Sequence, residues 1–314
     1  GRNFCNKLWN ASRFALMNIE GCPLWSDIHP GRHLEDRWIL SRLQRAARAA
    51  SSAIEEFRFN ELADTLYHFT WDEFCDWYVE VAKARIHGGD ASAKAVLAHV
   101  LDVILRLLHP VAPFITEAIW ERLNEAAPRR GPGGEAPEPV LAKARWPQSD
   151  SAAVNDAAEG RFALLQELVR QIRNARTQHN VPPSRQVDLA VEADDLAAET
   201  LCENAETLKA LAGLSDVSIS REPLSAPPTG AAAVTVAGVK AYVADIIDVE
   251  AEAARLNKQA ETLRKGIDGV ERKLSNESFV EKAPEEVVRG ERERLDQMRR
   301  DLAAVEESLA ALGS

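Results

Sequence analysis

Cysteine is scarce in this chain, and its four residues are far apart. Cys5, Cys22, Cys75 and Cys202 form no C-x-x-C pair, and none has a histidine nearby at metal-ligand spacing. This pattern excludes the disulfide framework of a small secreted domain and gives no sign of a zinc site. We therefore expect reduced thiols, no bound metal and a cytoplasmic location.

Long apolar runs are also missing. No stretch approaches the roughly 18 apolar residues of a membrane span, so we expect no membrane contact.

The chain begins Gly1-Arg2-Asn3, with neither a methionine nor a basic-then-apolar leader, and we expect it to be an interior piece of a longer protein. Its 314 residues exceed the usual size of one domain and predict two or three.

The common catalytic signatures are absent as well. The sequence has no phosphate-binding P-loop, no G-x-G-x-x-G turn, no G-x-S-x-G elbow and no H-E-x-x-H helix. We therefore expect no catalytic residue in this segment.

Basic residues are in the minority, with 38 Lys and Arg against 49 Asp and Glu and a net charge of −11. This balance argues against a nucleic-acid partner, because phosphate binding depends on Lys and Arg. The acidity is concentrated in residues 149–246, which carry 8 basic and 14 acidic side chains, whereas residues 1–148 carry 18 and 19. Residues 1–19 contain Arg2, Lys7 and Arg13 and no acid. A local basic face is therefore compatible with the overall charge.

Apolar residues recur at helical spacing up to about residue 124, as in Phe4, Leu8 and Ala15. Two adjacent stripes coexist between residues 95 and 108, so we expect that helix to lie at the centre of a bundle. Helix-stopping signals occur at 21–23, 88–89 and 109–110, and Pro113 is suited to begin a helix. The pattern predicts five helices in a first domain, residues 1–148.

Residues 149–246 change in character. A helix over 161–178 is followed by the alternating Val187, Leu189 and Val191, which is typical of a strand. Further strand-like runs occupy 216–220 and 234–243, with a helix near 196–211. We interpret this region as a small α+β linker domain.

The last segment has the clearest periodicity. Seam positions step by four and three from Val249 to Leu274 and again from Val288 to Leu312, with a break over 276–284, and they are apolar except at Glu291. Two equal heptad seams predict an antiparallel coiled-coil hairpin over residues 247–314. The predicted fold class is mainly α.

Five strings together carry a family resemblance. They are GRNFCNKLWNASRF (1–14), DRWIL (36–40), FCDWY (74–78), HPVAPFITE (109–117) with Trp120, and LSNESFVEKAPEEVV (274–288). The first four resemble the anticodon-binding domain of valyl-tRNA synthetases, and the last resembles the turn of the C-terminal coiled coil in bacterial-type members of that family. The signatures of the class I catalytic domain and the editing residues do not occur, so the chain resembles the C-terminal part only.

The resemblance implies a monomeric protein whose partner is valine-accepting tRNA and whose parent enzyme, a valine–tRNA ligase, joins valine to that tRNA. ATP and Mg²⁺ are expected in the catalytic domain, and no cofactor is expected in this segment. Two alternatives stay open. One is the same segment of an isoleucyl-type synthetase, and the other is a non-enzymatic helical scaffold that binds protein partners.

The first helix places Asn3, Asn6, Asn10 and Arg13 on one face, opposite its apolar stripe. Amide and guanidinium groups can bond the edges of unpaired bases. Since the related methionyl enzyme reads its anticodon from the corresponding helix, the resemblance assigns anticodon binding to a set of five residues: Asn6, Trp9, Asn10, Arg13 and Phe14. In that set Trp9 or Phe14 would be the stacking partner. Alternatively, the asparagines bond neighbouring helices and Arg13 pairs with a carboxylate.

The hairpin offers cations to a tRNA backbone. Lys258, Lys265 and Arg272 are seven residues apart on the side of the first hairpin helix opposite its seam, and Arg289 and Arg292 lie on the second. The resemblance implies contact with the outer corner of the L-shaped molecule, and we add Arg2 as a further phosphate contact. An ordinary solvated coiled-coil face, with acids such as Glu261 and Asp268 as partners, is the alternative.

Overall fold

The computed structural model describes most of the chain. The described ranges are 1–134, 136–228, 230–247, 249–275 and 284–312. The described residues form two compact units, one of residues 1–171 with 194–214 and the other of residues 172–193 with 215–314. The domain boundaries that the sequence suggests, at residues 148 and 246, stay a prediction.

The predicted five-helix arrangement is confirmed within residues 1–134, where the structure describes every residue. Its elements are α1 (Arg2–Asn18), α2 (Leu34–Glu55), α3 (Phe59–His68), a π-helical segment (Phe69–Tyr78), α4 (Val79–His87), α5 (Ala91–Leu108) and α6 (Pro113–Ala126). The segments from Phe59 to His87 are continuous and make one rod. Short 3₁₀ turns occur at Trp25–Asp27, Leu141–Lys143 and Ser151–Ala153.

Helix α5 is the centre of this bundle, as its double stripe predicts. It packs against α1, α2, α3, α4 and α6. Val96, Leu97, Val100 and Leu101 have no exposed surface, so both adjacent stripes of the helix are covered. The Asp90 side chain caps its N-terminus by accepting a 2.9 Å bond from the Ser92 N–H.

The π-helical segment was not predicted from the sequence. In it the Val79 N–H donates to the Phe74 carbonyl, five residues back. The wider turn buries Phe74, Trp77 and Tyr78 together. Asp72 and Asp76 stay exposed, where they pair with His68 at 2.7 Å and Lys7 at 2.5 Å.

The middle of the chain is α+β, as predicted, with two local corrections. Its elements are α7 (Asp156–Gln178), β1 (Val187–Glu192), α8 (Asp195–Glu203), α9 (Ala205–Ala212), β2 (Leu214–Ser220), β3 (Ala232–Val236) and β4 (Val239–Val243). The single helix predicted near 196–211 is two helices, which meet at Asn204, whose side chain donates to the Thr200 carbonyl at 2.7 Å. The run predicted as one strand over 234–243 is the hairpin β3–β4.

The four strands form one sheet in the order β2-β1-β4-β3. Strand β4 pairs antiparallel with both β1 and β3, with Leu189 opposite Val243 and Val234 opposite Ala241. Val187, Leu189 and Val191 alternate with more exposed residues, as their spacing predicts, and place an apolar face on one side of β1.

The predicted helical hairpin is confirmed as α10 (Val249–Leu274) and α11 (Glu285–Leu312). Leu256, Ala260 and Val305 form its buried cluster, with Leu263, Leu302 and Leu309 packed against it. The ion pairs Arg264–Glu306 (2.6 Å) and Lys273–Glu291 (2.5 Å) join the two helices in antiparallel register. The predicted turn over 276–284 lies outside the described residues except for Pro284. Among the helices that the structure describes, none has the length and apolar character to span a bilayer.

Candidate nucleic-acid interface

The polar ridge of α1 is exposed. Asn3, Asn6, Asn10 and Arg13 are exposed, whereas Leu8 is 1% and Ala15 0% exposed on the opposite side. The helix presents this ridge because its apolar residues recur every three or four positions and turn toward α5 and α6. Four side chains with hydrogen-bonding groups therefore point away from the bundle.

Within the part of the chain that the structure describes, Asn6, Asn10 and Arg13 have neither a hydrogen bond nor an ion pair through their side chains. The described contacts therefore give no support to the alternative in which the asparagines bond neighbouring helices and Arg13 pairs with a carboxylate. Other basic side chains of the same bundle do pair with carboxylates. Arg42 donates to Glu73 at 2.7 Å, and Lys7 donates to Asp76 at 2.5 Å. The amide and guanidinium groups of the ridge keep their full bonding capacity for a ligand.

The two aromatic residues of the predicted set differ in their surroundings. The Trp9 side chain is 37% exposed beside the ridge. Phe14 is half-buried, and the Lys83 Nζ lies 5.2 Å from the centre of its ring. Trp9 therefore presents the more accessible ring for stacking a base.

Arg122 on α6 has no signal in the sequence that would join it to this ridge. Its guanidinium carbon lies 5.5 Å from the centre of the Trp9 ring, within the range of a cation–π contact. Arg122 stands 113 positions from Trp9 along the chain, and only the packing of α1 against α6 brings them together.

A second feature missed in the sequence is an aromatic stack next to α1. Tyr67 stacks between Phe4 and Trp71, each with ring centres 5.5 Å apart. The Lys7 Nζ lies 3.8 Å from the centre of the Trp71 ring. The four-residue spacing of Tyr67 and Trp71 on one helical rod is the only sequence signal for this stack.

The hairpin cations form two groups. Lys258 and Arg292 are exposed and have no side-chain ion pair among the described residues. Lys265 pairs with Glu261 at 2.6 Å, Arg272 with Asp268 at 2.8 Å and Arg289 with Glu293 at 4.0 Å, all on exposed surface. Exposed pairs of this kind are worth about 0–1 kcal/mol, so a phosphate could displace the carboxylate at little cost.

Arginines recur every three residues along α7, at positions 170, 173 and 176. Arg170 is exposed and pairs with Glu167 at 3.1 Å. Arg176 is 7% exposed and donates to the carbonyls of Pro182, at 3.2 Å, and Arg185, at 2.6 Å. These bonds hold the turn that leads into β1, so the contacts of Arg176 are those of a structural residue.

Comparison with known proteins covers both units. Residues 36–192 match the family described as the anticodon-binding domain of tRNA ligase, and residues 248–313 match the valyl tRNA synthetase tRNA binding arm. The second match favours the valyl over the isoleucyl alternative.

Curated relatives named valine–tRNA ligase align over the whole chain. The protein of Rhodopirellula baltica is 39% identical over 318 residues, which is 100% of this chain and 31% of the relative. Those of Carboxydothermus hydrogenoformans and Thermotoga maritima are 40% and 38% identical, over 99% of this chain and 34% of each relative. The chain thus spans about a third of the length of these relatives. It belongs to the valine–tRNA ligase family and corresponds to the C-terminal part of its members.

Proposed function

We propose that this chain is the tRNA-binding part of an enzyme that uses ATP to attach valine to its tRNA. The observation that carries the proposal is the exposed ridge of α1, which lies beside the exposed Trp9. Among the described residues, the amide and guanidinium groups of Asn6, Asn10 and Arg13 have no side-chain partner. The ridge belongs to a helical bundle whose later part lies within residues 36–192, the range that matches an anticodon-binding domain. ATP and Mg²⁺ would bind elsewhere in such an enzyme. In this proposal the protein acts as a monomer in the cytoplasm.

The ridge would read the anticodon by direct contact with unpaired bases. Splayed bases expose both a hydrogen-bonding edge and a ring face. Asn6, Asn10 and Arg13 supply donors and acceptors for the edges, and Trp9 supplies a face on which one base can stack. Arg2, which is exposed at the start of the helix, would meet a phosphate rather than a base.

The hairpin would bind the backbone at the outer corner of the tRNA. Its exposed cations carry no sequence information, so they would add affinity for any tRNA of the right shape. Lys258 and Arg292 can meet phosphate directly, whereas Lys265, Arg272 and Arg289 would first release a neighbouring carboxylate.

Filter binding of the 314-residue chain to valine-accepting tRNA, with bulk RNA as competitor, tests the proposed function. We expect tRNA to be retained in the presence of excess competitor. Equal affinity for tRNA and bulk RNA would contradict the proposal and would favour the helical scaffold that binds protein partners.

Arg13 gives a sharper prediction about the ridge. If its guanidinium bonds a base edge, Arg13→Gln should weaken binding by about 1–3 kcal/mol, and the loss should depend on the base at one anticodon position. The measurement compares cognate tRNA with transcripts altered at single anticodon positions, while circular dichroism monitors the helices.

The matched control for Arg13→Gln is Arg48→Gln on α2, another exposed arginine without an ion pair among the described residues. It should leave binding of every transcript nearly unchanged. A uniform loss for Arg13→Gln across all transcripts would show a phosphate contact, and no loss at all would remove Arg13 from the interface.

A further inference from the structure

An apolar groove of about 650 Å³ lies at one end of the helical bundle. It is bounded by the end of α2, the start of α3 and the turn between α5 and α6, and its lining includes Ile54, Phe59, Val111 and Trp146. Phe59 is 60% and Val111 51% exposed. A groove bounded by exposed apolar side chains is typical of a surface that receives a partner.

Phe57, between α2 and α3, points to the same conclusion through its backbone. The Phe57 N–H donates to the Ile54 carbonyl at 3.1 Å, and the Arg58 N–H donates to the Ala53 carbonyl at 2.7 Å. These two bonds form the Schellman motif that ends a helix, and Phe57 holds its left-handed position with a φ of +57°. Glycine is the usual residue there, because a bulky side chain strains this backbone.

The Phe57 ring gains little burial in return for this strain. It is 78% exposed, and its centre lies 6.2 Å from the centre of the exposed Phe59 ring. Strained positions persist where the surroundings or the function require them. A contact outside the described chain would give the ring the burial that the bundle does not.

Acidic side chains surround this aromatic pair. Glu55 lines the groove, and Arg58, which lies between the two phenylalanines in the sequence, pairs with Glu56 and Glu61. Three acids thus stand against one base. Such a rim repels phosphate, so it disfavours tRNA as the occupant and favours a protein surface with an apolar centre and basic residues around it.

The groove lies at the end of the bundle where α1 begins. Lys94, near the start of α5, donates to the carbonyl of Glu20 beyond the end of α1 at 3.5 Å. The two helices pack together and have similar lengths, 17 and 18 residues. The end of α5, with the turn that carries Val111, therefore lies near the start of α1. Phe4 gives the same placement, since it stacks on Tyr67, about two turns beyond the start of α3.

The valine–tRNA ligase relatives indicate what occupies the groove. The region that matches this chain is about a third of each relative and is the C-terminal part. About two thirds of such a protein therefore precede α1 and reach the bundle beside the groove.

We propose that the groove and the Phe57–Phe59 pair dock on the part of the parent enzyme that precedes α1, against an apolar face with a basic rim. This inference rests on the proposed function, because the parent enzyme of that proposal supplies the preceding part. The contact would hold the tRNA-binding bundle in a fixed position relative to the rest of the enzyme.

Hydroxyl-radical footprinting of the parent enzyme and of the 314-residue chain, both without tRNA, tests the docking. In the 314-residue chain Phe57 and Phe59 should be oxidised as exposed residues. In the parent enzyme their oxidation should fall toward that of Phe74, which is 0% exposed. Met17, 77% exposed near the other end of α1, is the internal control and should react equally in both proteins.

Three results would overturn the docking. The first is equal oxidation of Phe57 and Phe59 in the two proteins. The second is protection in the 314-residue chain that grows with its concentration, which would show a second copy in the groove. The third is protection that appears only when tRNA is added, which would show an RNA site.

Phe57→Asn separates docking from folding. Asparagine tolerates the left-handed backbone, so the thermal midpoint of the 314-residue chain should not fall. In the parent enzyme the same change should lower the midpoint and increase the oxidation of Phe59. Leu196→Asn on α8, at a leucine that is 58% exposed, is the matched control and should not affect Phe59.

An equal fall of the midpoint in both proteins would show an ordinary structural role for Phe57 and would overturn the docking. Filter binding of tRNA to the 314-residue chain should be unchanged by Phe57→Asn. Loss of the preference for tRNA over bulk RNA in the wild-type chain would overturn the proposed function, whereas the footprint decides the docking.

Discussion

Replacing Arg85 by Met is expected to lower the free energy of unfolding by about 3–5 kcal/mol. Arg85 on α4 donates to both carboxylate oxygens of Asp36, at 2.8 and 2.9 Å, and to Glu35 at 3.2 Å. Asp36 is 0% and Glu35 2% exposed, and the Tyr78 hydroxyl donates to Asp36 at 2.8 Å. Removing the guanidinium leaves two buried carboxylates without their main counter-charge. Urea unfolding at neutral pH, followed by circular dichroism, measures the loss.

The matched control is Arg58→Met at the start of α3. Arg58 also pairs with two acids, Glu56 and Glu61, but all three side chains are well exposed. This variant should lose less than about 1 kcal/mol. Similar losses for both variants would show that burial of the Arg85 network does not control its energetics.

The loss of unfolding free energy in Arg85→Met should also depend on pH. Burial raises the pKa of Glu35 above its ordinary value, and Arg85 opposes that rise. In the variant the folded-state pKa should rise further above the unfolded value, so the folded chain binds more protons than the unfolded one. The difference in stability from wild type should therefore be smallest at acidic pH and grow as pH rises through the folded-state pKa. A difference that does not change with pH would contradict this account.

The second large effect is expected on tRNA binding when exposed cations of the hairpin are removed. Replacing Lys258, Lys265 and Arg272 together by Gln should weaken tRNA binding by roughly one to two orders of magnitude and reduce the salt slope by up to about three. These cations share the exposed side of α10, where they can follow successive phosphates. Binding measured between about 50 and 200 mM salt gives the slope. The preference among anticodon variants should not change, because backbone contacts carry no base information.

The control removes the same charge from the same hairpin. Arg264, Lys273 and Arg299 pair across the hairpin with Glu306, Glu291 and Glu271, at 2.6, 2.5 and 2.7 Å. Their triple Gln variant should change the slope less than the first variant does. Equal changes would show that only the net charge of the hairpin matters, and no change in either variant would mean that the hairpin cations form an ordinary solvated face.

Local patterns in the sequence determined much of the architecture. The heptad spacing placed the seam residues of α10 and α11, such as Leu256 and Val305, which are buried in the structure. The double stripe identified α5 as the central helix, and Pro113 marked the start of α6. Such features can be predicted because hydrophobic period and helix-stopping residues act over a few neighbouring positions. The exposed ridge of α1 follows from the same periodicity.

The tertiary structure decided the features that depend on unusual backbone conformations or on contacts between residues distant in the sequence. The β3–β4 turn uses positive φ at both Ala237 and Gly238, where an Asn-Gly or Asp-Gly pair would have given the stronger signal. The sequence has no local marker for the π-helical segment, which packs against α1 and α2 in the folded chain. Arg122 reaches Trp9 only because α6 packs against α1. These two residues are more than a hundred positions apart in the sequence. The distance between their side chains is therefore set by the packing of the folded chain.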